Sequence, residues 1–200
     1  MLKVMDLEKK YKDHIIFKDV NLEFEEGRLY ILQGVNGSGK STLLKIIAGV
    51  IYKSSGHIIK VGEVSYLPDR YTMPKLMLAR RYISELLVND SNRKKTAKKL
   101  LDEYQIPDKR IGDLSKGNQQ KVGIIQVFSI DAKIYLLDEP MDGLDEDAKH
   151  LVKDRIKEEL AKKKIVILSL HNKTFFNDLS PIILEVKEET IREKKRRKEA

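Results

Sequence analysis

The stretch GVNGSGKST, residues Gly34 to Thr42, follows the apolar run RLYILQ and leads into the helical pattern KSTLLKIIAGV. It matches the pattern of a phosphate-binding loop, in which the last glycine is followed by Lys and Ser. Glycines let successive backbone N–H groups curl around phosphate oxygens, and the start of the next helix adds partial positive charge. A structural glycine-rich turn is the alternative. The pattern predicts the phosphate-binding residues Gly34, Asn36, Gly37, Ser38, Gly39, Lys40, Ser41 and Thr42, with Lys40 at the β- and γ-phosphates and Ser41 on Mg²⁺.

Two carboxylates follow the apolar run Ile134 to Leu137 in the stretch IYLLDEP. The run predicts a buried strand, and a phosphate loop needs an acid on its metal side. We therefore predict that Asp138 holds Mg²⁺ through water and that Glu139 orients and deprotonates the attacking water. A turn followed by a helix cap is the alternative for this pair.

The composition limits the possible classes of protein. The 200 residues suit one domain, with or without an inserted subdomain, and the 41% of hydrophobic residues can build an ordinary core. Much of the net charge of +8 lies in the stretch KKRRKEA, and such an excess suits phosphates, nucleic acid or an anionic membrane surface. The sequence has no cysteine, which excludes disulfides and thiolate metal sites. We expect no signal peptide in MLKVMDLEKKYKD, and no apolar run approaches the roughly 18 residues that span a bilayer.

Short apolar runs alternate with helical patterns, which predicts an α/β architecture. The strand candidates are VNLEFEE, RLYILQG, HIIKV, VSYL, KIYLLDEP, IVILSL and IILEV. From Pro74 to about Arg110 the pattern is helical, with Ser91 as the expected cap of a helix that ends before Pro107. We expect a single domain over 1–200, divided into a core over 1–69 and 113–186, a helical subdomain over 70–112 and a charged tail over 187–200.

The stretch LSKGNQQKV, Leu114 to Val122, precedes the apolar run GIIQVFSI. Polar residues in this place often cap a helix. Ser115 and the backbone N–H groups near Gly117 can also present a hydroxyl, free donors and a helix dipole to an anion. Together with IYLLDEPMDGLD and LSLH, this stretch resembles the motifs of ATP-binding cassette (ABC) ATPases, whose signature is usually written LSGGQ. The resemblance covers nearly the whole chain in the order of that family.

The resemblance implies a fold and a cofactor. The expected fold is α/β, with a P-loop NTPase core (a mostly parallel sheet flanked by helices), a small antiparallel β layer and an inserted helical subdomain. The expected cofactors are ATP and Mg²⁺. Tyr11 would stack on adenine, and His171 would contact the γ-phosphate, so that Lys40, Glu139 and His171 form the catalytic set. Read as plain sequence, Tyr11 could instead be an ordinary strand-edge tyrosine and His171 a structural histidine.

The resemblance also implies a second cassette. Ser115, Gly117 and Asn118 would reach the γ-phosphate of an ATP held by the other subunit, so that a homodimer or heterodimer sandwiches two ATP molecules. Asp142 to Asp145 resemble the loop that couples the two sites, with Asp145 near the nucleotide. Read as plain sequence, DGLD could be only a turn and a helix cap.

Two departures from the family stand out. Asp69 in VSYLPDR lies where the family usually has a Gln that touches Mg²⁺ and the attacking water. An Asp oxygen can meet Mg²⁺ or its waters, but Pro-Asp is also a common turn. In the signature, Lys116 and Asn118 stand in place of Gly and Gln. We expect function to survive these changes.

These motifs predict the ATP-hydrolysing subunit of an ABC transporter at the cytoplasmic face of the cell membrane. Its partners would be separate transmembrane subunits, and LSKG favours an exporter of drug, peptide or lipid type, although NQQKV also resembles sugar importers. Contacts to the membrane partner would come from Arg70, Tyr71, Met73 and Leu76, of which Met73 and Leu76 could instead be core residues. A soluble ABC ATPase that acts on nucleic acid or ribosomes is the alternative, although no specific nucleic acid is expected. A GTPase is disfavoured because NKTF lacks the acid that grips guanine.

Overall fold

The computed structural model describes residues 1–87, 90–170 and 174–194. Within these ranges the chain forms nine strands and five α-helices. The strands are β1 (Leu2–Tyr11), β2 (His14–Phe24), β3 (Leu29–Gln33), β4 (Ser55–Lys60), β5 (Val64–Leu67), β6 (Ile134–Asp138), β7 (Ile165–Ser169), β8 (Ile182–Lys187) and β9 (Thr190–Glu193). The helices are α1 (Lys40–Ala48), α2 (Ala79–Leu86), α3 (Ser91–Glu103), α4 (Lys116–Phe128) and α5 (Glu146–Ala161).

The central sheet has six strands in the order β5-β6-β7-β3-β8-β9. The pairs from β5 to β8 are parallel, and β9 runs antiparallel to β8. All residues of β6 and β7 are buried, which is typical of parallel strands covered on both faces. Alternate residues belong to different cores: Leu137 and Leu168 pack with α4 and α5, while Leu136 and Ile167 pack with α1 and the second sheet. The predicted fold class is confirmed.

The second sheet is antiparallel, with three strands in the order β2-β1-β4. The sequence did not predict β1, although this strand lies at the centre of the layer. Its register shifts three times against β2, and Asp6 takes a positive φ of 47°. Such bulges break the alternation of apolar and polar residues by which a strand is recognised.

The helical segment between β5 and α4 differs from its prediction in detail. α2 begins only at Ala79, because the chain before it is extended and Leu78 bridges to Arg110. The predicted Ser91 cap is wrong: Asp90 caps α3, and its Oδ1 accepts a 2.9 Å hydrogen bond from the backbone N–H of Arg93. Asp and Ser are both good caps, so the sequence did not separate two adjacent candidates.

Part of the predicted charged tail is a strand. Residues Thr190–Glu193 pair with β8 after a turn in which Glu188 and Glu189 have positive φ. Ile191 is buried in the core that contains α1, so its burial holds this edge strand in place. Of the helices that the structure describes, none is long and apolar enough to cross a membrane.

Candidate active site

The phosphate loop joins β3 to α1. Gly39 takes a φ of 106° immediately before the helix, a conformation that favours glycine. A Cβ atom at Gly39 would lie 2.7 Å from Cζ of Phe17 and 2.9 Å from Cγ2 of Ile16. The loop backbone therefore passes tightly over β2. The first turn of α1 has no side-chain cap, which leaves its N–H groups available to an anion.

Lys40 is folded back over this loop. Its ammonium donates to the carbonyl oxygens of Gly34 at 2.8 Å and Val35 at 3.2 Å, and the residue is only 7% exposed. The two loop carbonyls therefore hold the positive charge of Lys40 beside the loop, where it can interact with phosphate oxygens.

Asp138 and Glu139 are positioned by the neighbouring strand β7. Oδ1 of the buried Asp138 accepts a 2.5 Å hydrogen bond from Oγ of Ser169. The backbone N–H of Glu139 donates to Ser169 at both its carbonyl oxygen and its Oγ, at 3.2 and 3.0 Å. Ser169 thus orients both carboxylate residues. Ser169 belongs to the stretch LSLH, from which no role was predicted for the serine.

The donors around Asp138 fit Mg²⁺. Oδ2 of Asp138 is buried and has no hydrogen-bond partner within the described chain, so an acceptor is left for a cation or its water. Mg²⁺ uses one or two carboxylates together with substrate phosphates rather than an all-protein cage. Accordingly, the described residues contain no cluster of three or more His, Cys, Asp or Glu that could bind a metal alone.

One cleft of about 410 Å³ brings the predicted residues together. Its walls come from the phosphate loop, Asp69, Arg70, Glu139 and Asp142. Asp69 therefore faces the same space as Lys40, although its carboxylate is also 3.7 Å from Nε of Arg70. Arg70, which the sequence suggested for a membrane partner, lines both this cleft and the neighbouring groove that contains Tyr71.

The start of α4 has the predicted capping geometry. Oγ of Ser115 accepts from the backbone N–H of Asn118 at 3.2 Å. Lys116 lines a different groove, together with Asp142 and Gly143. Among the described residues, Ser115 and Gly117 do not line the phosphate cleft. Among the described residues, the signature-like helix start therefore does not contribute to the phosphate cleft, although the neighbouring groove shares Asp69, Arg70 and Asp142 with that cleft.

Two glutamines hold the start of α4 to its surroundings. Nε2 of Gln119 donates to the carbonyl oxygens of Ile111 and Leu114 at 3.1 Å, and Nε2 of Gln120 donates to that of Pro140 at 3.3 Å. Gln120 thereby connects α4 to the loop that follows Glu139. The sequence alone could not show these contacts, because both glutamines contact residues brought near by the fold.

The remaining predicted residues are spread more widely. Tyr11 ends β1, is 47% exposed, and has the Lys9 ammonium 4.2 Å from its ring centroid. It is not among the described residues that line the phosphate cleft. Met73 is buried whereas Leu76 is 83% exposed, so only Met73 is a core residue. His171 lies outside the described residues.

Known proteins resemble this chain along most of its length. The family profile described as ABC transporter matches residues 17–142. An uncharacterised ABC transporter ATP-binding protein of Methanocaldococcus jannaschii is 34% identical over 179 residues, covering 85% of this chain and 68% of that relative. The ABC transporter ATP-binding protein YtrB of Bacillus subtilis is 30% identical over 187 residues, covering 84% of this chain and 62% of YtrB. The chain thus spans about two thirds of the length of these relatives.

One further relative and two solved structures add detail. The lantibiotic transport ATP-binding protein SrtF of Streptococcus pyogenes is 33% identical over 161 residues, covering 72% of this chain and 69% of SrtF. A structure titled as the ATP-binding subunit of an ABC transporter has a TM-score of 0.86 at 23% identity, covering 96% of this chain and 88% of that one. A dimeric ATP-binding cassette in a post-hydrolysis state with ADP and Pi has a TM-score of 0.85 at 22% identity, covering 98% and 99%. At these identities the two structures show a common fold.

Proposed function

The chain belongs to the ABC transporter family as an ATP-binding, ATP-hydrolysing cassette, and we propose that it works as one half of a two-cassette dimer that drives separate membrane subunits. The observation that carries this proposal is that, among the described residues, the start of α4 contributes no residue to the phosphate cleft, although the two cavities adjoin at Asp69, Arg70 and Asp142. The phosphate cleft is lined by the phosphate loop and Glu139, while Lys116 at the start of α4 faces another groove. In this proposal the helix start binds the γ-phosphate of a nucleotide that a second cassette supplies.

The predicted site residues each have a proposed task in hydrolysis. Lys40 binds the β- and γ-phosphates, and Thr42 donates to a phosphate oxygen. Ser41 and Asp138 hold Mg²⁺, which neutralises charge on the phosphates. Glu139 accepts a proton from the attacking water, in an orientation set by the two hydrogen bonds from its backbone N–H to Ser169. His171 is proposed to contact the γ-phosphate, and Tyr11 to stack on adenine.

The helical segment offers a surface for the membrane partner. Leu76 is an apolar side chain that is 83% exposed. It comes shortly after Arg70 and Tyr71 in the sequence, and those two residues line the groove. Exposed apolar side chains beside a polar groove suit a protein partner. We place the cassette at the cytoplasmic face of the membrane, with these residues toward the transmembrane subunits. We propose an export direction, with cargo of drug, peptide or lipid type, from the stretch LSKG; the lantibiotic relative is named for transport without a direction.

The basic surface supports a second candidate, a soluble cassette that acts on nucleic acid. Lys94, Lys95 and Lys98 are exposed along α3. Such a stripe binds phosphates non-specifically, and that binding weakens steeply as salt rises. Salt-sensitive binding to RNA or DNA, without recovery of any integral membrane protein from a mild-detergent pull-down, would favour this candidate over transport.

Substitution of Glu139 by Gln tests the dimer proposal. The Glu139→Gln variant keeps the shape of the cleft but loses the base, so ATP should bind, persist and hold two cassettes together. Light scattering at high protein concentration, with ATP and with ADP, measures the mass. Glu146→Gln is a matched control, because Glu146 is an exposed carboxylate at the start of α5 that pairs only locally with Lys149. If Glu139→Gln stays monomeric with ATP, alone and with its native partners, the sandwich is wrong.

A further inference from the structure

Two of the buried polar atoms that lack a hydrogen-bond partner in the described residues lie on the neighbouring strands β5 and β6. In the described chain, the hydroxyl of Tyr66 and Oδ2 of Asp138 are both buried and neither has a hydrogen-bond partner. Buried polar groups are normally satisfied, so each exception calls for a reason. The unused acceptor on Asp138 and the unused donor on Tyr66 are complementary.

The sheet register places these two side chains on one face. Tyr66 on β5 pairs with Leu136 on β6, and Asp138 lies two residues further along the same face, about 6.6 Å away along the strand. The Tyr66 ring packs against the core that includes Leu43 of α1 and Leu136. The phenol therefore lies on the α1 side of the sheet, at the end where Asp138 precedes the cleft residue Glu139.

The surroundings keep this phenol protonated. Burial raises the pKa of the Tyr66 hydroxyl well above its usual range, and the carboxylates of Asp138 and Asp69 raise it further. At any working pH Tyr66 can serve as a hydrogen-bond donor to an anionic oxygen.

We propose that Tyr66 is a positioning residue whose hydroxyl donates to Oδ2 of Asp138 in the Mg²⁺- and ATP-bound state. Ser169 already donates to Oδ1 at 2.5 Å, so a second donor on Oδ2 fixes the plane of the carboxylate. A carboxylate held at both oxygens presents its remaining lone pairs to the cation in one orientation. This inference rests on the proposed function, in which Asp138 holds Mg²⁺.

Tyr66→Phe removes only the hydroxyl, and Tyr104→Phe is its matched control. The hydroxyl of Tyr104 is also buried without a partner in the described chain, but it lies at the end of α3 in the other core. Neither variant breaks a hydrogen bond among the described residues, so both should unfold at the wild-type temperature. Two quantities are measured: the affinity for ATP in EDTA, and the Mg²⁺ concentration that gives half of the ATP-dependent thermal stabilisation. Mn²⁺ bound in place of Mg²⁺, followed by electron paramagnetic resonance, reports the site directly.

We expect all three proteins to bind ATP equally in EDTA. Tyr66→Phe should need about tenfold more Mg²⁺ and show a changed Mn²⁺ spectrum, because loss of a residue that orients a metal ligand weakens metal binding by that order. Tyr104→Phe should match the wild type. A wild-type Mg²⁺ requirement in Tyr66→Phe overturns the role of Tyr66, as does a loss of ATP affinity already present in EDTA. If the wild type shows no Mg²⁺-dependent stabilisation by ATP, the proposed function fails, and this inference with it.

Discussion

A Cβ atom on Gly117 would lie 2.6 Å from the carbonyl oxygen of Gly143. The start of α4 and the loop after Glu139 are therefore in direct backbone contact within one chain. Glycine at position 117 is needed for this approach, whereas the glycine at 143 is favoured by its positive φ of 73°. A movement of one of these segments therefore displaces the other.

Gly117→Ala should separate the two loops and impair hydrolysis. A methyl group cannot occupy that space, so the Ser115 helix start shifts relative to the loop that carries Asp145. A displacement of this kind is expected to lower ATP turnover by about tenfold to 100-fold. ATP affinity of the isolated chain should be unchanged, because Gly117 does not line the phosphate cleft among the described residues. The readouts are steady-state ATPase activity and equilibrium binding of ATP.

Gly112→Ala serves as the control for Gly117→Ala. At Gly112 the nearest atoms to a new Cβ are Cβ and the carbonyl oxygen of Lys75 at 3.1 Å, so a smaller shift is needed there than at Gly117. Turnover near the wild-type value in both variants would show that the contact between the two loops has no role in hydrolysis.

The ion pair between Lys121 and Asp145 predicts a pH-dependent stability. Nζ of Lys121 lies 2.8 Å from Oδ2 of Asp145, and Oδ1 of Asp145 accepts from the Ala148 N–H at the start of α5. The Lys121 hydrogen bond lowers the pKa of Asp145 most, followed by that N–H. A lowered pKa means stabilisation that is present above the unfolded value of about 3.9 and lost as pH falls through the lower folded value.

Asp145→Asn isolates this charge, because Asn still caps the helix. At pH 7 we expect the variant to be less stable by under about 1 kcal/mol, a small cost because the Asp145 side chain is 60% exposed. The difference should disappear in strong acid, where the wild-type carboxyl is protonated. Asp145→Ala should cost about 1 kcal/mol more, since the cap is lost as well. Urea unfolding at pH 7 and at low pH measures the difference in free energy of unfolding between each variant and the wild type. A difference for Asp145→Asn that is the same at both pH values would contradict an electrostatic origin.

The order of the motifs was enough to predict the fold, because each motif requires a particular local structure. A phosphate loop needs a strand before it and a helix after it, and the structure has β3 and α1 in those places. The contacts of Ser169 and Gln120 could not be predicted from the sequence, because they depend on which elements become neighbours in the fold. Ser169 contacts Asp138 only because β6 and β7 pair in a register that aligns them. The strand β1 was missed for a local reason, its bulged register.

Asp69→Gln tests the departure from the usual residue of the family. Asp69 lines the phosphate cleft together with Lys40 and Glu139, so its oxygen can serve where the amide oxygen of Gln usually does. We expect Asp69→Gln to retain turnover within about threefold, and Asp69→Ala to lose about tenfold or more, as one oriented oxygen is removed. Asp113→Ala, an exposed acid beside α4, is the control for loss of charge. Wild-type turnover in Asp69→Ala would show that Asp69 forms a turn and has no role in hydrolysis.

Ser115→Arg should block hydrolysis across the dimer while leaving ATP bound to the phosphate loop. Ser115 is exposed, so the bulky side chain can be accommodated in the monomer, but it would occupy the place of the partner's γ-phosphate. ATP affinity should stay within about twofold and turnover fall by about tenfold or more. Ser115→Ala is the control for the lost cap, which alone costs about 1 kcal/mol of stability.

Mixing the Ser115→Arg chain with a Lys40→Ala chain should restore part of the activity, because that heterodimer has one site with an intact loop and an intact helix start. Loss of ATP binding in Ser115→Arg equal to its loss of turnover would mean that the helix start acts on the nucleotide of its own chain.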